Sequence, residues 1–477
     1  MPTESLSRME SGQGAENHPG LFWAPQAWVA GAWHPGVVLQ VDSRGHWSAI
    51  EPGIAAPPEA ACVLPGPVLP GLVDAHSHAF QRAFAGLAER REGEADDFWS
   101  WRDGMYRVAS NITPEQMQAV ATQLYVELLR GGYTQVCEFH YLQHRPDGQP
   151  YDDPLAMSWA LADAAAGAGI GLTLLPVLYQ RAGFGERTLR PDQRRFASTP
   201  MSVWAACEAV RDSGRALLCA GIAVHSLRAA DPNAMRRLLA AHEEDEGPIH
   251  IHVAEQQREV DECVAATGRR PIEWLCSELG LDARWQLVHA THATPDEIDA
   301  VARCGAGIVL CPGTEANLGD GQPDLTRWLA AGVPWSVGSD SHVTRSWTEE
   351  LRWLEYGQRV TLKRRNVGAA PARGIPATAT RLFEDALRGG ARAAGFQQWG
   401  LQLGARADLL VLDTGDPAML GIHPELRLDA FVFSSPCEAV RDVYVAGRCM
   451  LRQRRHAQQP QIAGRFEQAM RELQGPA

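Results

Sequence analysis

Val68-Leu69-Pro70-Gly71-Leu72-Val73-Asp74 is an apolar run, and Ala75-His76-Ser77-His78 directly after it carries two histidines one residue apart. Runs rich in Val, Leu and Ile without polar alternation read as strands covered on both faces, the pattern of a parallel sheet. In extended chain alternate residues face one side, which puts the His76 and His78 imidazoles on one face with Cα atoms about 6.6 to 7 Å apart. Seven similar runs follow: Tyr133 to Phe139, Ile170 to Leu178, Cys219 to Val224, Pro248 to Val253, Trp285 to Val288, Gly307 to Cys311 and Val333 to Gly338. Helix signals lie between them. Thr113-Pro114-Glu115-Gln116 combines an N-cap, a proline at the first helical position and a capping-box partner, Gly131-Gly132 ends that helix, and Thr294-Pro295-Asp296-Glu297 repeats the opening signal. Eight strand-then-helix units over about 280 residues predict an α/β fold of the (β/α)8 TIM-like barrel type, with chemistry at the carboxyl ends of the strands. A doubly wound open sheet is the alternative.

On either side of this repeat the pattern changes. Ala27 to Ala32, Gly36 to Val41 and His46 to Ile50 are short runs separated by Gly, Pro and Ser-Arg-Gly turns, as in a small meander of strands. After the helical stretch Ala377 to Ala394, strand patterns return at Asp408 to Leu412, Ala430 to Phe433 and Ala439 to Val445. The expected organisation is therefore a β-sandwich whose halves, 1–67 and 396–454, flank a barrel at 68–395, followed by a polar terminal helix at 455–477. Residues 1–20, rich in Ser, Glu and Gly, read as mobile.

Composition narrows the function. In 477 residues, 44 Lys plus Arg stand against 57 Asp plus Glu, a formal charge of −13 that excludes a polybasic nucleic-acid binder. At 45% hydrophobic and 21% charged the chain is an ordinary globular one. It has neither a run of about 18 apolar residues nor a signal-peptide pattern, so a cytoplasmic protein with no membrane partner is expected. Ten cysteines, none in a Cys-x-x-Cys pair, read as reduced thiols.

Four polar clusters fall at strand ends. His76 and His78 can share one cation through neutral imidazoles. His252, in His250-Ile251-His252-Val253-Ala254-Glu255, offers a third nitrogen, with Glu255 able to turn back over the same opening, while His250 lies a layer deeper and reads as a hydrogen-bonded barrel histidine. His289 directly follows the sixth run, whereas His292 reads as a loop residue. Asp340 follows the eighth run, and a closed barrel lays strand 8 beside strand 1, bringing this carboxylate to His76 and His78, where it can bind a metal and accept a proton.

Together these residues resemble the amidohydrolase superfamily of metal-dependent (β/α)8 hydrolases, from Pro70 to His78 through His252, Glu255, His289 and Asp340 to Gly404-Ala405-Arg406-Ala407-Asp408-Leu409-Leu410-Val411-Leu412. Binuclear members use a lysine near the end of strand 4. Lys363, the single lysine of the chain, lies beyond strand 8. The resemblance thus implies one divalent metal ion, with zinc favoured, on His76, His78, His252 and Asp340, and catalytic roles for Glu255, His289 and Asp340. Glu138 and His140, at the end of strand 2, read as hydrogen-bonding residues.

Segments outside this core, His76 to Arg82, Phe98 to Arg107, Glu138 to Tyr141, His225 to Arg228, Thr314 to Gly321 and Glu349 to Arg359, are similar to the branch of that superfamily that removes ammonia from a formimidoyl derivative of glutamate. That resemblance implies a small dicarboxylate substrate and a homodimer. Guanidinium groups bind carboxylates bidentately, which selects Arg102 and Arg228, and Gln81, Tyr141 and His225 are placed to add hydrogen bonds. Arg102 can instead pair with Asp96, Asp97 or Asp103, and Phe98, Trp99 and Trp101 read as lid packing. The rival readings are a deaminase of a purine-type ring and an inactive scaffold of the same fold; paired arginines favour the dicarboxylate.

Overall fold

The computed structural model describes residues 20–89, 91, 98–435 and 439–474. The stretch 1–19, most of the segment read as mobile, lies outside these residues, as do Asp96 and Asp97. Eight parallel strand positions form the barrel in chain order. They are strand 1 (Leu72–Ser77), strand 2 (Tyr133–His140), strand 3 (Gly171–Leu178), strand 4 in two pieces (Leu218–Ala220 and Ile222–Val224), strand 5 (Ile249–Val253), strand 6 (Trp285–His289), strand 7 (Gly307–Leu310) and strand 8 (Trp335–Val337).

Closure decides between a barrel and an open sheet. Past the end of strand 8, Asp340 N–H donates to His76 O at 2.9 Å, and His78 N–H donates to Asp340 O at 3.3 Å. Gly338 permits this approach, since a Cβ there would lie 2.6 Å from the Cβ of His76. A second clasp lies beneath. The buried Asp74 carboxylate accepts from Ser339 N–H at 2.8 Å and Ser339 Oγ–H at 2.6 Å. The ring is closed at the seam that carries the first histidines.

The helices begin where their caps dictate. Thr113 Oγ1 accepts from Gln116 N–H while Gln116 Oε1 accepts from Thr113 N–H, opening the helix Pro114–Arg130, and Thr294 opens Pro295–Cys304 in the same way. The terminal helix Gln459–Gln474 lies against Pro114–Arg130, with Ile462 and Ala469 buried and Gln116 Nε2 donating to Glu472 at 2.8 Å.

Both ends of the chain build one nine-stranded mixed sheet. Leu21–Val29, Ala32–Val41 and Trp47–Pro52 supply the antiparallel meander, Cys62–Val63 and Val68–Leu69 pair in parallel with Leu21–Val29, and Leu409–Leu412, Val440–Val445, Arg448–Arg452 and Arg455–His456 complete the sheet from the other terminus.

Two sequence expectations need correction. The run Val68 to Asp74 is not one strand: Val68–Leu69 pairs with Leu21–Val29 and Leu409–Leu412 in the outer sheet. Pro70, with no N–H to donate, and Gly71, packed on the Thr134 side chain, separate it from strand 1. Ala430 to Phe433 is not a strand but part of the helix Arg427–Phe433, because Leu428, Phe431 and Val432 face one packed surface and Phe431 meets Trp347 edge to face at 5.3 Å. A four-residue apolar run carries no period that separates the two possibilities.

Arg406 joins the sheet to the barrel. It binds Asp408 through Nε and Nη2, Gln135 Oε1 at 2.7 Å and Thr134 O at 2.9 Å, all buried, and stacks over Trp399. Removing one partner of such a pair strands the other charge. Arg406→Ala is expected to cost about 3 kcal/mol or more, read as a lower midpoint in urea unfolding.

Candidate active site

At the carboxyl face the strand ends turn sharply. His289 has φ +70° and Asp340 φ +48°, a left-handed backbone that non-glycine residues hold only where the surroundings fix it. The turns aim both side chains at the barrel axis beside His76, His78 and His252.

The three imidazole Nε2 atoms of these last residues form a triangle of 3.0, 3.1 and 3.4 Å. Two of the rings are oriented from behind. His78 Nδ1 lies 3.0 Å from Phe139 O and His252 Nδ1 3.0 Å from His225 O, so Nδ1 carries the proton and the Nε2 lone pairs face inward. Burial drives the imidazoles away from the charged form, taking His76 down to about 3 and lowering His78 and His252. Converging lone pairs repel one another unless a cation lies between them. A tetrahedral ion with metal–nitrogen bonds of 2.0 to 2.1 Å needs donors about 3.4 Å apart, so the donor set fits one.

Asp340 Oδ1 completes the group at 3.5 Å from both His76 and His78. Burial alone would raise its carboxyl, but the hydrogen bond and charge of His76, with His289 and His78, hold it well below the ordinary range. His289 and Cys311 also fall within donor sets of this cluster.

His289 stands among three carboxylates. Its Nε2 is 3.7 Å from Glu255 Oε1 and 3.9 Å from Asp340 Oδ2, and its Nδ1 is 3.4 Å from Glu315 Oε1. Burial opposes its charge, but Glu255, Glu315 and Asp340 raise its pKa to about 10. Glu255 is pushed up to about 7 by burial, against the pull of His289 and Arg228. A carboxyl near neutrality beside an imidazole that holds its proton can pass protons in either direction.

Glu315 is the residue that sequence reasoning missed. It sits in the first turn of the helix Pro312–Leu318 after strand 7, accepts from Cys311 N–H at 2.9 Å and braces the rear of His289. A carboxylate five residues past a strand end, on an immediately following helix, was the available signal. Glu315→Gln is expected to lower kcat about tenfold to a hundredfold with bound metal unchanged. Parallel kinetics and elemental analysis check this. Glu138 does form hydrogen bonds: it accepts from Ser77 Oγ–H at 2.7 Å and Ala79 N–H at 2.6 Å, on either side of His78. His250 Nε2 meets Ala393 O at 2.8 Å, a layer below the site.

Above the cluster lies a narrow cavity. Its wall brings together Gln81, Arg102, Tyr141, His225 and Arg228 with His78, His252, Glu255, His289 and Asp340. The helix Phe98–Ala109 covers it, contributing Phe98, Trp101 and Tyr106 to the wall. Arg228 is 6% exposed and faces Glu259 at 3.8 Å, and its Nη1 has no hydrogen-bond partner among the described residues. A buried N–H of this kind points to a ligand.

A closed eight-stranded barrel with histidines, carboxylates and arginines at its carboxyl face is the architecture of a hydrolase. Residues 68–450 match the amidohydrolase family, and the chain belongs to it. It is 45% identical over 456 residues to formimidoylglutamate deiminase from Pseudomonas aeruginosa, covering 95% of this chain and 99% of that protein. A crystal structure of an amidohydrolase from Brucella melitensis superposes with a TM-score of 0.89 at 40% identity, over 95% of this chain and 100% of the other. At 26% identity, 5-methylthioadenosine/S-adenosylhomocysteine deaminase from Halobacterium salinarum is similar over 81% of this chain and 82% of its own length.

Proposed function

We propose that this protein hydrolyses N-formimino-L-glutamate to N-formyl-L-glutamate and ammonia, a step of histidine degradation. The carrying observation is Arg228, a buried guanidinium with an unpartnered N–H, in one cavity wall with Arg102 above an imidazole and carboxylate cluster. The P. aeruginosa relative bears the name of this activity.

In the reaction a water oxygen bonds to the formimidoyl carbon, the bond from that carbon to its terminal nitrogen breaks, and the nitrogen leaves as ammonia. His76, His78, His252 and Asp340 would hold one divalent cation, zinc being favoured by three imidazoles and a carboxylate. Such an ion supplies Lewis acidity, which lowers the pKa of water from 15.7 to about 7. Asp340 takes up the proton of the attacking water, and His289, which keeps its own proton, orients that water. Glu255, the carboxyl poised near neutrality, delivers a proton to the departing nitrogen. Arg102 and Arg228 bind the two substrate carboxylates, and Gln81, Tyr141 and His225 add hydrogen bonds. The helix Phe98–Ala109 excludes water from above.

The reading includes a cytoplasmic homodimer with no nucleic-acid or membrane partner; no helix of the described residues is long and apolar enough to cross a membrane. A panel of formimidoyl-amino acids and aminopurines assayed for ammonia release tests the reaction. Turnover of formimidoylglutamate supports it, and turnover of an aminopurine alone overturns it. Chelation is expected to take ammonia release to background, with a divalent ion restoring it, and about one ion per chain should be found before chelation.

A further inference from the structure

Of the six segments that resemble the deiminating branch of the superfamily, five reach the cavity wall, and the sixth, Glu349 to Arg359, contributes nothing to it. This segment lies on the helix Trp347–Leu362, which follows strand 8. Its inner side is fixed: Trp347, Leu351 and Leu354 are buried, Glu350 accepts from Gly313 N–H at 2.8 Å, and Gln358 Nε2 donates to Pro323 O at 2.8 Å. A helix anchored in this way ordinarily turns charged and polar residues outward. Here the outer side is apolar. Trp353, Tyr356 and Val360 recur at intervals of three and four residues, with Trp353 48% and Val360 79% exposed. Among the described residues, four of the twelve exposed large apolar side chains, these three and Leu362, stand on this one helix. Tyr356 stacks on Phe433 at 5.9 Å, which carries the apolar surface onto the neighbouring helix Arg427–Phe433.

The charges around this strip form a palindrome. Counting outward from Tyr356, Trp353 and Val360 come first, three and four residues away, and Glu349 and Lys363 follow, each seven residues away. Seven residues are about two turns, so both charges fall on the Tyr356 face. Lys363 caps the helix, its N–H donating to Arg359 O. Neither Glu349 nor Lys363 forms an ion pair among the described residues. Laid antiparallel on a second copy about a two-fold axis through Tyr356, the helix sets Glu349 against the partner's Lys363 and Lys363 against the partner's Glu349, with Trp353 beside the partner's Val360. An isologous contact requires a patch complementary to itself, and an acidic end, an apolar middle and a basic end meet that requirement under reversal. A parallel pairing would oppose like charges at both ends, and an unrelated protein as occupant gives no reason for the symmetry.

We infer that the outer face of the helix Trp347–Leu362, with Phe433 beside it, is the surface through which two copies of this chain associate, antiparallel about Tyr356. This gives a location to the homodimer of the reading above and stands apart from the reaction proposed there. Apolar contact of Trp353, Tyr356 and Val360 supplies affinity, and the end charges fix the register.

The test is sedimentation velocity of the full chain across a concentration series, with circular dichroism to confirm folding. The wild type is expected to be a dimer. Trp353→Glu and Val360→Glu should each raise the dimer dissociation constant about thirtyfold or more, as loss of a central anchor does. Leu403→Glu, at an exposed apolar position in the turn before Leu409–Leu412, should leave it unchanged. Glu349→Lys and Lys363→Glu should each weaken association about tenfold by placing like charges together twice per dimer, and the two combined in one chain should restore it. A monomeric wild type, an unchanged dissociation constant in both Trp353→Glu and Val360→Glu, or a charge exchange that fails to restore association overturns the inference. Ammonia release assayed in parallel separates the two claims. A dimer dissolved by these variants that leaves formimidoylglutamate untouched keeps the interface and loses the reaction, whereas a monomeric wild type that turns formimidoylglutamate over loses the interface and keeps the reaction.

Discussion

Asp340→Asn is expected to lower kcat for formimidoylglutamate by about a thousandfold or more, within the span of general acid–base catalysis. Asp340 Oδ1 faces His76 and His78 while Oδ2 faces His289, so one carboxylate serves both the donor cluster and the proton path. The amide keeps the shape and loses the charge and the basicity. Elemental analysis of the variant divides the loss: retained metal with a collapsed kcat assigns Asp340 to proton transfer, and lost metal assigns it to ligation. Activity within a factor of about ten of wild type is too small a loss for either role.

Arg228→Ala should act on the other side of the reaction. Truncating one partner of a desolvated, charge-paired contact costs several kcal/mol, so KM should rise about a hundredfold while metal content stays the same. Glu259, with no exposed surface, would then be left uncompensated 3.8 Å from an empty position, and stability should fall by about 3 kcal/mol. Arg228→Met with Glu259→Gln separates the effects. The pair is expected to regain much of the unfolding midpoint and none of the affinity for substrate. A KM that recovers with the midpoint would place Arg228 among structural ion pairs and remove the dicarboxylate assignment.

Much of this site could be read from the chain because strand ends obey a short rule. An apolar run fixes the strand, its last residue fixes the rim, and alternation fixes the facing side, which selects His76, His78, His252, His289 and Asp340 without knowledge of the packing. Arg102, on the helix Phe98–Ala109, and Arg228, in the loop after strand 4, followed from the charge chemistry of a dicarboxylate. The same rule could not find Glu315, whose carboxylate reaches His289 from a helix, nor the clasp of Asp74 on Ser339, which depends on the register across the barrel seam. It also failed where side-chain pattern was too short to carry a period, at Ala430 to Phe433, and where a strand was shared between two sheets across Pro70 and Gly71. Local periodicity reports what an element is. It does not report which partner the element meets.

The seam itself has a consequence for assembly. Asp74 and Ser339 lie 265 positions apart, and their bonds form where the first and last strands of the ring meet. Contacts of such long sequence separation mature late, after loop closure has been paid for in entropy. Under the proposed metal assignment, a chain that has not yet closed its eighth strand onto its first would hold His76, His78 and His252 without Asp340, so tight ion uptake is expected only once the ring is complete.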